Sequence, residues 1–120
     1  MASILLADDD ASVRELVRRA LTQDGHTVTV TEDGAEALQH LSAHAASIDV
    51  VVSDVNMPQI DGVTLAQKAV AIKPSIAVVL MSGFSEQLDR ASAIKAGKLA
   101  VISKPFTLEQ IKSKVRAVLG

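Results

Sequence analysis

The chain has no cysteine, tryptophan or tyrosine, and phenylalanine occurs only at Phe84 and Phe106. Without cysteine the protein has no disulfide, no thiolate nucleophile and no cysteine-ligated metal. So few aromatic rings argue against a surface that stacks bases or sugars. The longest apolar runs are far shorter than the roughly 20 residues of a membrane span, and residues 1–7 are too short for the apolar region of a secretory leader. We therefore expect a cytoplasmic protein that does not enter the membrane.

The charge is close to balanced, with 12 basic and 14 acidic residues and a formal net charge of −2. This balance gives no electrostatic reason to expect nucleic acid or an anionic membrane as a partner. Hydrophobic residues make up 48% of the 120 residues, which suits one globular domain over residues 1–120. The acidic residues are spread unevenly, since Asp8, Asp9 and Asp10 are consecutive.

A regular alternation of two patterns fills the chain. Short apolar or β-branched runs predict five strands, at 3–7, 27–31, 48–53, 76–81 and 99–103. Helical spacing of apolar residues predicts five helices, beginning near Ser12, Asp33, Asp61, residue 85 and Thr107. Capping boxes are expected at Ser12–Glu15 and Thr107–Gln110, and Gly25 suits the position after the first helix.

This alternation predicts the fold class. Strands that alternate with helices and are almost uniformly apolar are typical of a parallel sheet covered on both faces. Right-handed crossovers leave few topologies. We therefore expect an α/β, doubly wound, five-stranded parallel sheet of the flavodoxin-like (βα)₅ type, with strand order 2-1-3-4-5.

Polar residues stand where the predicted strands end, and they are Asp8, Asp9, Asp54, Ser82 and Lys104. The carboxyl ends of parallel strands meet at one edge of the sheet, where such folds bind ligands. Carboxylates brought together there repel and shift each other's titration. The pocket therefore needs a cation, for which Mg²⁺ is the natural choice.

Four segments carry a resemblance to a known family. They are Leu6-Ala7-Asp8-Asp9, Ser53-Asp54-Val55-Asn56-Met57-Pro58 with Asp61-Gly62, Met81-Ser82-Gly83, and Ser103-Lys104-Pro105-Phe106. In this order, each at the end of the right strand, they closely resemble the CheY-like receiver domain of two-component response regulators. The last two segments look most like single-domain regulators of the CpdR type and receivers of CckA-type hybrid kinases.

The resemblance implies a phosphoacceptor and a metal site. Asp54 would accept a phosphoryl group from a phosphohistidine on a histidine kinase or histidine phosphotransfer protein, forming an acyl phosphate. Asp8, Asp9, Asp54 and the backbone carbonyl of Asn56 would hold Mg²⁺ (or Mn²⁺), with Asp9 as a direct ligand and Asp8 acting through water. Asp10 would only complement the helix dipole.

The resemblance also implies two groups that contact the phosphoryl oxygens. Lys104 would neutralise them, and would pair with Asp54 before phosphorylation. A cis peptide before Pro105 would aim this lysine inward, and the Ser82 hydroxyl would donate a hydrogen bond. The chain would then be a phosphoacceptor that assists its own phosphorylation and slow dephosphorylation, rather than an enzyme.

One switch position departs from the family. Val101 stands where many receivers carry a rotating aromatic residue, so coupling would run through Ser82 and Lys104, with Pro105 beside them. The output protein would bind the fourth helix, last strand and last helix. Phe84 replaces a polar residue and would hinder water from reaching the acyl phosphate.

The fourth helix, predicted over 85–96, has the thinnest apolar stripe, formed by Leu88, Ala91 and Ile94. A helix with little packing to lose is a natural moving part, and Gly83 and Gly97 flank it. We therefore expect segment 83–98 to be mobile without phosphorylation and to be repositioned or ordered by it.

Three histidines need separate interpretation. His40 and His44 have zinc-ligand spacing on the second helix. We expect no acidic or cysteine third ligand beside them, so a solvated pair is favoured. His26 lies in a turn and resembles a phosphodonor only superficially, since Asp54 is the acceptor and a separate protein is the better donor.

Three alternatives stay open. The first is a phosphatase of the haloacid-dehalogenase type, although the chain lacks an Asp-x-Asp on its first strand and a cap insertion. The second is a pseudo-receiver that is never phosphorylated, against which the complete pocket argues. The third is a receiver excised from a hybrid histidine kinase; Met1-Ala2 before the first strand and the end at Gly120 fit a natural short chain equally well.

Overall fold

The computed structural model describes residues 1–83 and 98–120. Five strands run through these ranges: β1 (Ser3–Ala7), β2 (Thr27–Thr31), β3 (Val50–Asp54), β4 (Ala77–Ser82) and β5 (Leu99–Ser103). Every pairing is parallel, and the strand order is β2-β1-β3-β4-β5. The predicted fold class and strand order are therefore confirmed.

The helices in the described ranges are α1 (Ala11–Gln23), α2 (Gly34–His44), α3 (Gly62–Ile72) and the last helix (Leu108–Leu119). A 3₁₀ turn, Ala45–Ser47, follows α2. Among the residues described, no helix is long and apolar enough to cross a membrane. The predicted fourth helix and Phe84 lie outside the described residues.

The start of α1 differs from the prediction. Asp10, not Ser12, is the N-cap, and its carboxylate accepts the backbone N–H groups of Ser12 and Val13. The capping box expected at Ser12–Glu15 is wrong, because the Glu15 carboxylate is held by Arg18 instead of returning to Ser12. The acidic run thus ends in a structural residue, since the Asp10 side chain satisfies helix N–H groups that would otherwise lack partners.

The other helix boundaries agree with their sequence signals. The carboxylates of Asp33 and Asp61 cap α2 and α3 by accepting the N–H groups of Glu36 and Thr64. Thr107 and Gln110 form the predicted capping box of the last helix. Gly25 follows α1 with φ of +91°, a conformation that glycine adopts without steric cost.

Two apolar cores cover the faces of the sheet. One, between the sheet, α2 and α3, includes Leu5, Leu41, Val51, Leu65 and Leu80. The other, between the sheet, α1 and the last helix, includes Leu6, Val17, Val52, Met81 and Ile111. Successive side chains of a strand point to opposite faces, so neighbours such as Leu5 and Leu6 are both buried. Each fully buried side chain of this size contributes roughly 1.5–3 kcal/mol of hydrophobic free energy, so packing on both faces stabilises the sheet whose carboxyl edge carries the polar residues.

Candidate functional site

Three carboxylates meet at the carboxyl edge of the sheet. Asp8 and Asp9 follow β1, Asp54 ends β3, and one oxygen of each lies within 4.8 Å of the others. Asp8 is 0% exposed and Asp54 is 6% exposed, whereas Asp9 is exposed. The trio therefore forms a recess with a buried floor, and Asp9 stands on its open side.

The strand register explains this meeting. In the β1–β3 pair Ala7 lies opposite Ser53, so Asp8 and Asp54 are the next residues of two adjacent strands. In the β4–β5 pair Ser82 lies opposite Ser103, the residue before Lys104. The parallel register thus places the acidic strand ends beside the strand ends that carry the hydroxyl and the amine.

Asp8 is the most strongly perturbed carboxyl group at this edge. Burial raises its pKa to about 6, the nearby Asp54 charge adds to the rise, and a hydrogen bond from the Asp10 N–H opposes it. That bond is 2.8 Å long and uses Oδ1. In the described part of the chain, Oδ2 of Asp8 has no hydrogen-bond partner. One buried oxygen is therefore left available for a ligand.

The influences on the pKa of Asp54 partly cancel. Burial raises its pKa, while the Lys104 ammonium and the backbone N–H of Asn56 oppose that rise. The Nζ atom of Lys104 lies 3.3 Å from Oδ1 of Asp54 and 3.7 Å from Oδ2 of Asp8. One lysine therefore partly neutralises two buried carboxylates.

Backbone contacts fix the position from which the Lys104 side chain extends. Its N–H donates to the Ser82 carbonyl at 2.8 Å, which extends the β4–β5 ladder by one residue. The peptide bond between Lys104 and Pro105 is cis, as the resemblance implied. The lysine side chain is 25% exposed, so the amine reaches the recess while remaining accessible.

The remaining predicted residues surround this centre. Ser82 is buried at the end of β4, with 2% exposure. Asn56 is exposed in the loop after β3, and Pro105 is exposed after β5. Val101 is partly buried and packs against the core formed with α2 and α3. Its side chain is therefore a packing element of β5.

Two glycines shape the loop next to Asp54, and their packing role was not predicted. A Cβ at Gly62 would lie 2.2 Å from the Asp54 carbonyl oxygen, and one at Gly34 would lie 2.0 Å from that of Ile60. The Gly62 N–H also donates to the Val55 carbonyl at 2.9 Å. The Asp61-Gly62 pair predicts a helix start, but this close approach depends on how α3 docks against β3.

Arg14 is a second residue that the sequence did not single out. Its Nη1 donates to the backbone carbonyl of Asp8 at 2.8 Å, and its Nη2 lies 3.9 Å from Glu32. This guanidinium holds the backbone between the two metal-binding candidates. No sequence pattern predicts this contact, because an arginine one turn into α1 would ordinarily be assigned to the solvated face of the helix.

The recess fits a hard divalent cation. Its donors are carboxylate oxygens, which Mg²⁺ prefers. Among the described residues, Oδ2 of Asp8 accepts no hydrogen bond, and its ion pair is the 3.7 Å approach of Lys104. In residues 1–83 and 98–120, no other group of three His, Cys, Asp or Glu side chains converges in this way.

The histidines lie elsewhere. The rings of His40 and His44 are in contact on α2, with centroids 4.8 Å apart. His26 accepts the Ala2 N–H at Nδ1, over 3.1 Å, which gives it a structural contact at the amino end of the sheet. None of the three contributes to the acidic recess among the described residues.

The chain is similar to known proteins over almost its whole length. A family model described as the response regulator receiver domain matches residues 4–116. Response regulator MprA of Mycobacterium ulcerans is 33% identical over 97% of this chain, and sensor kinase CckA of Brucella abortus is 35% identical over 98%. The chain spans 49% of that MprA and 12% of that CckA.

A solved structure points the same way. The crystal structure of a response regulator receiver protein from Sinorhizobium medicae matches with a TM-score of 0.88 and 35% identity, over 98% of this chain and 94% of that one. The matched family, the parallel sheet order and the acidic edge agree with one another. The chain belongs to the response regulator receiver domain family.

Proposed function

We propose that this chain is a stand-alone response regulator receiver that accepts a phosphoryl group on Asp54 and signals by a change in protein binding. The donor is a phosphohistidine on a histidine kinase or histidine phosphotransfer protein. The observation that carries the proposal is the meeting of Asp8, Asp54 and Lys104, with Lys104 Nζ 3.3 Å from Asp54 and 3.7 Å from Asp8.

The reaction is a transfer between two side chains. A carboxylate oxygen of Asp54 attacks phosphorus, a phosphorus–oxygen bond forms, and the phosphorus–nitrogen bond of the donor breaks with its electron pair moving to the imidazole. A carboxylate is a weak nucleophile, so positioning and charge neutralisation supply most of the rate. The strand register and the close approach of Gly62 hold the Asp54 backbone in place.

Lys104 has a different partner before and after transfer. Before transfer its ammonium pairs with Asp54, and after transfer it neutralises phosphoryl oxygens, to which the Ser82 hydroxyl also donates. Asp8, Asp9, Asp54 and the Asn56 backbone carbonyl would hold Mg²⁺, or Mn²⁺. The bound ion supplies charge neutralisation for the incoming phosphoryl group.

Phosphorylation adds negative charge at the carboxyl edge. That charge biases two states of the face formed by the fourth helix, β5 and the last helix, where the output protein binds. The chain works as a phosphoacceptor in the bacterial cytoplasm. It assists its own phosphorylation and slow dephosphorylation but does not turn over an external substrate.

The test is phosphorylation by acetyl phosphate and by a phosphorylated histidine phosphotransfer protein, followed by intact mass and peptide mapping. We expect one phosphoryl group, on Asp54, and only with a divalent cation. Asp54→Asn should abolish the label, and Asp33→Asn is the matched control because asparagine also caps α2. Label at the wild-type rate in Asp54→Asn, or with excess chelator, would refute the proposal. Turnover of p-nitrophenyl phosphate would favour a phosphatase.

The identity with CckA favours a second candidate, a receiver that forms part of a hybrid histidine kinase. Both candidates predict phosphorylation of Asp54, so the size of the protein in cells separates them. An antibody raised against this chain should detect a 12.6 kDa species if the receiver stands alone. A single, much larger band would instead support the hybrid kinase.

A further inference from the structure

We propose that His40 and His44 form a second metal site on α2, specific for divalent transition-metal ions and strongest for Cu²⁺. The site is independent of the acidic recess. It consists of two neighbouring imidazoles on one helix face, with water completing the coordination.

The spacing of the two rings is compatible with chelation of one ion. The imidazole centroids are 4.8 Å apart and the ring planes are inclined by 47°. With metal–nitrogen bonds of about 2.0–2.1 Å and nitrogen–metal–nitrogen angles of about 90–109°, two bound imidazoles have centroids about 4.5–5.2 Å apart. The rings therefore already stand at the distance that one shared ion would impose.

Both imidazoles are available to a ligand. His40 is partly buried and His44 is exposed. Neither imidazole makes a hydrogen bond or an ion pair with residues 1–83 or 98–120. They border clefts between α2 and the edge strand β2, lined also by Thr29 and Ser47. Glu36, one turn before His40, lines one of these clefts, so an acidic residue does fall on this face. Among the described residues its carboxylate does not converge with the two imidazoles. These clefts leave room for water ligands.

The chemistry of the donors selects the ion. Imidazole nitrogen suits Cu²⁺, Ni²⁺ and Zn²⁺, whereas Mg²⁺ prefers oxygen. A site with two protein ligands has little geometric selectivity, so affinity follows the general order in which Cu²⁺ binds more tightly than Ni²⁺ or Zn²⁺. The two metal sites of the chain therefore discriminate between classes of cation.

Binding should stabilise the folded chain. The ion would link two successive turns of α2, whose inner face carries the buried Ala37 and Leu41. An ion that binds the folded state more tightly than the unfolded state raises the unfolding temperature.

The experiment titrates the protein with Cu²⁺ in excess Mg²⁺, so that the acidic recess is occupied. Electron paramagnetic resonance and calorimetry should give one Cu²⁺ per chain with two nitrogen ligands, and the unfolding temperature should rise. His40→Ala and His44→Ala should each weaken binding at least tenfold. Folding of each variant is checked by circular dichroism without metal.

The matched control relocates one ligand. Combining Ser42→His with His44→Ala keeps the number of histidines but places the second one two residues from His40, on a different face. This variant should bind Cu²⁺ as weakly as the single variants. Wild-type affinity in the relocated variant, or a spectrum with fewer than two nitrogen ligands in the unaltered protein, would overturn the proposal.

Discussion

At the scale of single residues, Asp8 controls the electrostatics of the recess. It is fully buried, the Asp54 charge acts on it, and the Lys104 amine lies 3.7 Å from its Oδ2 atom. A buried carboxylate with incomplete pairing favours its protonated form. Without metal, ionisation of Asp8 should therefore lower the free energy of unfolding.

The first prediction concerns stability and pH without metal. The pKa of Asp8 rises from 3.8 to about 6 on folding, so the folded state binds this proton more tightly than the unfolded state. The resulting stabilisation is complete below pH 3.8 and is lost as pH rises through 6. The free energy of unfolding should fall by at most about 3 kcal/mol over this interval through Asp8 alone, as measured by urea unfolding in chelator.

Asp8→Asn isolates this contribution. Asparagine keeps an oxygen to accept the Asp10 N–H and cannot ionise. The variant should be more stable than the wild type at pH 7 without metal, and the difference should shrink towards pH 4. A difference that does not change with pH would show that Asp8 is not the titrating group.

The second prediction concerns the exposed carboxylate, Asp9. A solvated Mg²⁺ site with few protein ligands depends on each of them, so Asp9→Asn should weaken Mg²⁺ binding at least tenfold in calorimetric titration. Relief of repulsion should also stabilise the metal-free protein, by less than in Asp8→Asn because Asp9 is exposed.

Asp10→Asn is the control, because asparagine is an equally good N-cap for α1. It changes charge by the same amount one residue away and should bind Mg²⁺ nearly as the wild type does. Equal affinities of Asp9→Asn and the wild type would remove Asp9 from the ligand set.

At the scale of elements, sequence patterns predicted most boundaries because the signals were local. The alternating Thr27–Thr31 run and the Thr107–Gln110 capping box each lie within a few residues, and both were found as expected. The capping box predicted at Ser12–Glu15 is wrong because the Asp10 carboxylate, two residues earlier, accepts the N–H groups at the start of α1.

The residues of the candidate site could be predicted only in part. The acidic residues could be grouped because each follows a predicted strand. The contacts of Gly62 and Arg14 depend on how helices dock against the sheet, and no local sequence pattern predicts that docking.

The third prediction tests how α3 approaches β3. Gly62→Ala places a methyl group 2.2 Å from the Asp54 carbonyl oxygen, so the helix or the strand end must move. Overpacking of this kind costs about 1–3 kcal/mol or more. Stability should fall by that amount, and phosphorylation of Asp54 should slow at saturating Mg²⁺, since the nucleophile is displaced.

Gly83→Ala is the matched control for stability, because a Cβ there would meet no atom of the described residues within 4 Å. It should change the free energy of unfolding by less than about 1 kcal/mol. Equal losses in the two variants would mean that backbone freedom, rather than the close approach to Asp54, explains the effect.

At the scale of the whole molecule, the fourth prediction concerns the switch. Val101 is partly buried against the core and has no ring to rotate, so we expect Ser82 and Lys104 to transmit the effect of phosphorylation. Hydrogen exchange with and without a beryllofluoride mimic should change most in segment 83–98. Residues 84–97 lie outside the described residues, so this expectation comes from the thin apolar stripe of Leu88, Ala91 and Ile94 in the sequence.

A different pattern of hydrogen exchange would contradict this prediction. If the mimic changes exchange only in the loops that hold Asp9, Asp54 and Lys104, the output protein binds the rim of the recess directly. Amide chemical shifts of β5 distinguish the two cases, because β5 joins Lys104 to the proposed output face.

The strand order also determines when opposite charges first meet during synthesis. β2, β1 and β3 are neighbours in the sheet and are all complete by Asp54, so three of the five strands can pair before β4 and β5 leave the ribosome. This part of the chain already contains Asp8, Asp9 and Asp54, whereas Lys104 is made fifty residues later. A nascent chain of this kind carries its acidic cluster without its lysine, so cellular Mg²⁺ or protons must moderate the repulsion during early folding.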